Sequence, residues 1–229
     1  MPIRKEATAL STAEQQRYIT CINTLLADAS NPYGKMVGVH ADMSHNMHGM
    51  NEAGTQRFLS WHRDYLLKFE RMLVAIDPLS FVPYWDWTQT RNVPAWIRTF
   101  KPTVNVPGYG VVPVKRNASL PAVIDLTAIT GLSDYRQFSD TLENGPHGDV
   151  HMQLGLIKNV REAMANIRVS PSDPIFWLHH GNLDKVWSEW QVQHPSQNPT
   201  LSGDDRIMDP WTETAVQLRS IAALGYSYV

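Results

Sequence analysis

Large apolar residues recur along two stretches of the chain at alternating steps of four and three, and each stripe carries a histidine. Phe58, His62, Tyr65, Phe69, Met72 and Ile76 form the first; Phe176, His180, Leu183, Trp187 and Trp190 form the second. That spacing puts every member of a set on one helix face, the face a helix turns into a core. It predicts helices over about 56–76 and 174–192. A third stripe, Tyr18, Ile22, Leu25, Leu26 and Ala29, follows Ser11-Thr-Ala-Glu14, whose serine and glutamate can satisfy each other's backbone N–H groups as a capping box. A helix over 12–29 is expected there, ended by Asn31-Pro32-Tyr33-Gly34. A fourth is expected over 147–165, where His147 and His151 stand one turn apart. Between 77 and 135 the pattern weakens under seven prolines, which predicts loops and short strands, one of them near Val111–Val114. Beyond Gln197 the chain reads mostly as loop. The fold class is therefore mainly α: a four-helix bundle with long irregular loops and a few short strands.

A neutral imidazole on a core face needs partners for both ring nitrogens, and a metal ion is the common partner when several such rings converge. His147 and His151, at i and i+4, can present nitrogens to one ion, and His180 turns inward nearby, giving one set. His62 with two of His40, His45 and His48 gives a second. Triads of neutral imidazole with an open position suit zinc, copper or iron. Asp184, four residues after His180, and Glu70, eight after His62, could accept the far imidazole N–H or pair with an arginine such as Arg63.

Composition narrows the picture. The chain has 229 residues, 43% of them apolar, enough for one well-filled core and short for two, so a single domain over 1–229 is expected. Formal net charge is −2 with both signs interspersed and no basic run, which speaks against nucleic acid or an anionic membrane as partner and favours a small substrate. The lone Cys21 excludes an internal disulfide and cysteine-held zinc or iron–sulfur clusters, leaving nitrogen and oxygen ligands. Met-Pro-Ile-Arg-Lys-Glu has no apolar run of the secretory kind, and a soluble cytoplasmic protein is expected unless a leader was removed before residue 1.

These residues resemble the tyrosinase family of type-3 dicopper proteins, which includes tyrosinases, catechol oxidases and molluscan haemocyanins. Phe58-Leu-Ser-Trp-His62-Arg63-Asp-Tyr65-Leu-Leu-Lys-Phe-Glu70 is similar to the copper-A signature, and Ser170-Pro-Ser-Asp173-Pro174-Ile-Phe176-Trp-Leu-His179-His180-Gly-Asn-Leu-Asp184 to the copper-B signature. Pro83-Tyr-Trp-Asp86-Trp87 and Gly225-Tyr-Ser-Tyr228 match further landmarks, so the likeness spans nearly the whole chain. It implies two copper ions in the helix bundle, with dioxygen as co-substrate. By position, His40, His48 and His62 would hold copper A and His147, His151 and His180 copper B. His48 is chosen with an enlarged loop over 49–57, and His45 is the alternative. His179 would lie beside the site and pack on the substrate ring. No cysteine stands two residues before a candidate ligand, so no Cys–His thioether is expected.

The resemblance implies oxidation of o-diphenols to o-quinones and, in tyrosinases, prior hydroxylation of monophenols. Hydroxylation is associated with a water held by a Glu and by an Asn that follows the first copper-B ligand. Glu143 resembles that Glu, but Gly148 follows His147, with Asp149 as the substitute base. Diphenol oxidation is therefore expected to dominate. Oxidation of o-aminophenols and oxygen carriage without turnover are the alternatives; the former uses the same residues, and the latter is disfavoured by the expectation that no lid domain follows. A copper-delivery protein is the one macromolecular partner this reading leaves room for, and oligomeric state is not specified.

Overall fold

The computed structural model describes residues 2–229. Ser11 caps α1 (Thr12–Ala27), and the reciprocal Ser11/Glu14 box is present. Asn31 then caps α2 (Pro32–Ala41), a helix the sequence reading took for a terminating turn. Proline at the first helical position loses no hydrogen bond, because that N–H has no partner in the helix anyway. The chain passes through a short 3-10 turn at Met43–His45 and enters α3 (Glu52–Ile76), capped by Asn51. Residues 52–57 are thus helical, and the enlarged loop expected over 49–57 shrinks to a short connection before Glu52.

The proline-rich middle is irregular, as expected. It holds the one-turn helices α4 (Ala95–Arg98) and α5 (Thr127–Thr130) and an antiparallel hairpin of β2 (Thr103–Val106) and β3 (Gly110–Pro113). α6 (Tyr135–Leu142) leads into a wide π-type turn at Glu143–His147, and α7 follows over Gly148–Gly155. The helix expected over 147–165 stops at Gly155 because a Cβ there would lie 2.1 Å from the backbone nitrogen of Ala165. The chain turns back instead through the β4 (Leu156–Ile157) and β5 (Val160–Arg161) hairpin. α8 (Ile175–Gln193) is the second long helix, and α9 (Ile221–Leu224) precedes the closing strand. That strand, β6 (Ser227–Tyr228), pairs in parallel with β1 (Ile3–Arg4).

α3 and α8 pack face to face, and the stripes meet at His180, which stacks on His62 at 4.5 Å between ring centroids, while Trp177, outside the stripe, stacks on Phe69 at 3.8 Å. α2, α3, α7 and α8 bring the candidate ligands together, so α1 packs outside the set that holds the histidines. No helix among the described residues is long and apolar enough to cross a membrane.

Candidate metal centre

Each histidine reaches the core for a local reason. His40 sits in the last turn of α2, and His62 and His180 lie on the stripes of α3 and α8. His147 and His151 follow Pro146, which interrupts the helical ladder and starts α7 in a new direction. His48 depends on a glycine. A Cβ on Gly54 would stand 1.9 Å from the carbonyl oxygen of His48, so only glycine lets the connection lie against α3 closely enough to aim that ring inward.

The result is two clusters. His40, His48 and His62 bring one ring nitrogen each within 4.8 Å of one another, as do His147, His151, His179 and His180. All seven are buried. His45 is in neither cluster: its Nδ1 meets the Asp209 carboxylate at 2.6 Å and its ring stacks on Trp61. The geometry therefore selects His48 over His45.

Hydrogen bonds fix which nitrogen faces the centre. His62, His147 and His151 direct Nδ1 at the carbonyls of Phe58, Glu143 and Met164, at 2.9, 3.0 and 2.8 Å. A carbonyl only accepts, so Nδ1 carries the proton and Nε2 keeps its lone pair. His48 donates from Nδ1 to Glu143 Oε1 at 3.2 Å, and the same oxygen accepts from the Gly49 N–H at 2.9 Å. The Nε2 atoms of His48 and His147 are buried without a partner. Those of His40 and His62 face each other at 3.4 Å, and those of His151 and His180 at 3.3 Å. His62 and His151 present lone pairs there; His40 and His180, whose Nδ1 atoms have no partner, can donate to them from Nε2 in the metal-free protein or join them on a cation, and an imidazole–metal bond of about 2.0–2.1 Å suits the gap. Burial drives the same preference for neutrality. It pushes His40, His62, His147 and His180 well below the ordinary imidazole range, neighbouring imidazoles push them further, and His151 falls to about 4. Unprotonated imidazole is the form a metal takes, so both triads fit a copper ion.

His179 differs from its neighbours. The Trp87 indole N–H donates to its Nδ1 at 3.1 Å, and an indole N–H cannot accept, so the proton of neutral His179 is on Nε2 and no lone pair is left for an ion. Fully buried and parallel to the His147 ring, His179 is not among the residues that line the cavity described below.

Of the two roles expected for Asp184 and Glu70, pairing with an arginine is the one they take. Arg63 donates to Asp184 and lies 3.6 Å over the Trp187 ring; Arg4 joins Glu70 at 3.0 Å to Asp184 at 3.1 Å. Tyr226 and Tyr228 donate their hydroxyls to the same Asp184 carboxylate. Burial pushes that carboxyl upward, but the two guanidinium groups and two hydroxyls outweigh it and hold it below the usual range. The network locks α3 to α8 and to β1 and β6 behind the histidines. Backbone carbonyls take the orienting role, and these are invisible to motif reading because every residue has one. Arg4 carried no motif signal either.

The other face of the clusters opens on a cavity of about 340 Å³ lined by His40, His48, His147 and His151, with Gly148, Met50, Met152, Met164 and Ile167 around them. Gly148 forms part of its wall, Glu143 stands behind His48, and Asp149 is exposed and does not line it, so Asp149 is not placed to act as a base there.

Two facing triads of neutral imidazole on a helical core, with one open side, define a protein built for a pair of histidine-held metal ions. The sequence model of the common central domain of tyrosinase matches residues 30–112 and 111–193. Among curated relatives, the tyrosinase of Streptomyces glaucescens is 27% identical over a 270-residue alignment covering 94% of each chain. Hemocyanin units G and H of Sepia officinalis are 28% identical over 212 residues, covering 83% of this chain and 38% of that one. Among solved structures, a functional unit of octopus hemocyanin superposes with a TM-score of 0.80 at 21% identity, over 100% of this chain and 68% of that one. The chain belongs to the tyrosinase family of type-3 copper proteins.

Proposed function

We propose that this protein oxidises o-diphenols to o-quinones with dioxygen, two diphenols per O2 reduced to water, and hydroxylates monophenols more weakly. The observation that carries the reading is the cavity: oxygen storage needs room for a diatomic molecule, whereas about 340 Å³ beside four of the imidazoles takes an aromatic ring and its substituent. His40, His48 and His62 would hold one copper and His147, His151 and His180 the other. Bound there, the pair supplies activation of dioxygen for two-electron oxidation.

The chain's own residues provide position. The thioethers of Met50, Met152 and Met164 offer soft, polarisable contacts for the ring. The Nδ1 anchors on the Phe58, Glu143 and Met164 carbonyls stop three imidazoles from rotating, and Glu143 does the same for His48. Proton removal from a monophenol is the weak step. Glu143 Oε2 is buried and unpartnered, but a water held near it needs at least two polar partners, and Gly148 offers no side chain as the second. An o-diphenol forms no new C–O bond and depends less on that acceptor.

The likeness to hemocyanin units favours a second reading, reversible oxygen binding without turnover. Oxygen uptake by the copper-loaded protein with a catechol, a monophenol and an o-aminophenol side by side separates the readings. The proposal expects fast uptake with the catechol and slow uptake with the monophenol; no uptake with any of them would overturn it in favour of oxygen binding.

A further inference from the structure

We propose that Arg161 selects phenols whose ring substituent ends in a carboxylate, an inference that rests on the oxidase reading above. Among the described residues that line the cavity, Arg161 is the only one carrying a formal charge at neutral pH; the others are neutral imidazoles, methionines, alanine, isoleucine, glycine and serine. A single guanidinium at an otherwise apolar wall singles out an anion, and its planar fork matches a carboxylate with two parallel hydrogen bonds.

The local structure fixes the backbone that carries Arg161 and leaves the guanidinium available. Arg161 stands opposite Leu156 in the β4–β5 hairpin, whose two turn residues, Lys158 and Asn159, have φ of 49° and 66°, the left-handed pair of a tight two-residue connection. The base of the hairpin is fixed by the Glu162 N–H donating to Gly155 O at 2.9 Å and by Asn117 Nδ2 donating to Gln153 O at 2.8 Å. Neighbouring charges are engaged elsewhere. Glu162, the adjacent carboxylate, pairs with Lys115 at 3.2 Å, and Arg168 donates to the Ala41 carbonyl at 2.9 Å. Arg161 itself is exposed, with no ion pair or side-chain hydrogen bond among the described residues. In the proposed pose the phenol ring lies against the histidines and its substituent reaches Arg161, which lines the same cavity.

The test uses the copper-loaded full chain with 3-(3,4-dihydroxyphenyl)propionate and its methyl ester, which differ only in charge. The wild type should show a KM about tenfold lower for the acid, the worth of a charge-assisted hydrogen-bonded pair at a partly exposed site. Arg161→Gln should bring the ester-to-acid KM ratio to near one, and Arg161→Lys should retain part of it. Binding of 3-phenylpropionate against its amide, measured by calorimetry, should follow the same order without turnover. A ratio near one in the wild type, or a preference that survives Arg161→Gln because the charge of the metal centre attracts the anion, overturns the proposal. Failure of both the acid and the ester to be oxidised would instead overturn the oxidase reading, and the calorimetry would still judge Arg161.

Discussion

Glu143 has two roles that pull on one carboxylate: one oxygen fixes the tautomer of His48, and the other is buried without a partner. Removing the ring it orients should empty one half of the centre. His48→Ala is expected to lose one copper per chain by metal analysis, whereas His45→Ala, whose ring is held by Asp209 and Trp61, should keep both. The reverse result would transfer the ligand role to His45. Gly148 has helical dihedrals, φ −60° and ψ −40°, and a Cβ there would meet only the Glu143 carbonyl oxygen at 3.5 Å, an ordinary contact. Gly148→Asn should therefore fold and add the second partner for a water at Glu143. A positioned proton acceptor contributes about 10²-fold or more when its geometry is right, so the monophenol rate should rise selectively over the catechol rate. Equal rates on both substrates in the unmodified protein would contradict this account. At this scale the convergence of the histidines was readable from the sequence, because inward stripes and i, i+4 spacing place imidazoles before any coordinates exist. The behaviour of His179 was not, since its tautomer depends on Trp87, ninety-two positions away.

Helices announced by long stripes formed where expected, and those controlled by single backbone contacts did not. α3 and α8 have enough apolar periodicity to override local composition. α2 was hidden because Pro32 and Gly34 read as turn residues, although Pro32 sits harmlessly at the helix start and Gly34 is needed because a Cβ would lie 2.0 Å from Asn105 O. α7 was read too long because nothing in its own sequence shows that Ala165 folds back on Gly155. Gly54→Ala should push the His48 connection off α3, and a destabilisation of about 1–3 kcal/mol is expected from the forced overpacking. Chemical denaturation together with copper content checks it; an unchanged midpoint and full copper would show that the connection is free to shift. At the start of α1, Lys5 and then the Ser11 backbone and hydroxyl hold Glu14 down at about 2, from an ordinary 4.5. A depressed folded value gives stability that is present above the unfolded value and lost as pH falls from about 4.5 towards 2. In Glu14→Gln the acid limb of the stability profile should be shallower across that window, and an identical limb would show that the capping box adds nothing there.

Across the whole molecule, one buried ionic network joins elements distant in the chain: Arg4 on β1, Arg63 and Glu70 on α3, Asp184 on α8, Tyr226 and, on β6, Tyr228. It sets the spacing of the two helices that carry His62 and His180. Removing Asp184 leaves the Arg63 guanidinium buried without a carboxylate and Arg4 with Glu70 alone, a change that costs about 3–5 kcal/mol. Asp184→Asn should lower stability by that order in the metal-free protein and weaken copper retention, as read by thermal unfolding and chelator competition; unaltered retention would mean that the triads are spaced by packing alone. The most direct test of the account is the copper stoichiometry of the loaded protein. Two facing triads predict two copper ions per chain, both lost together when His62 and His180 are replaced, while one ion per chain, or zinc held in preference to copper, would contradict it.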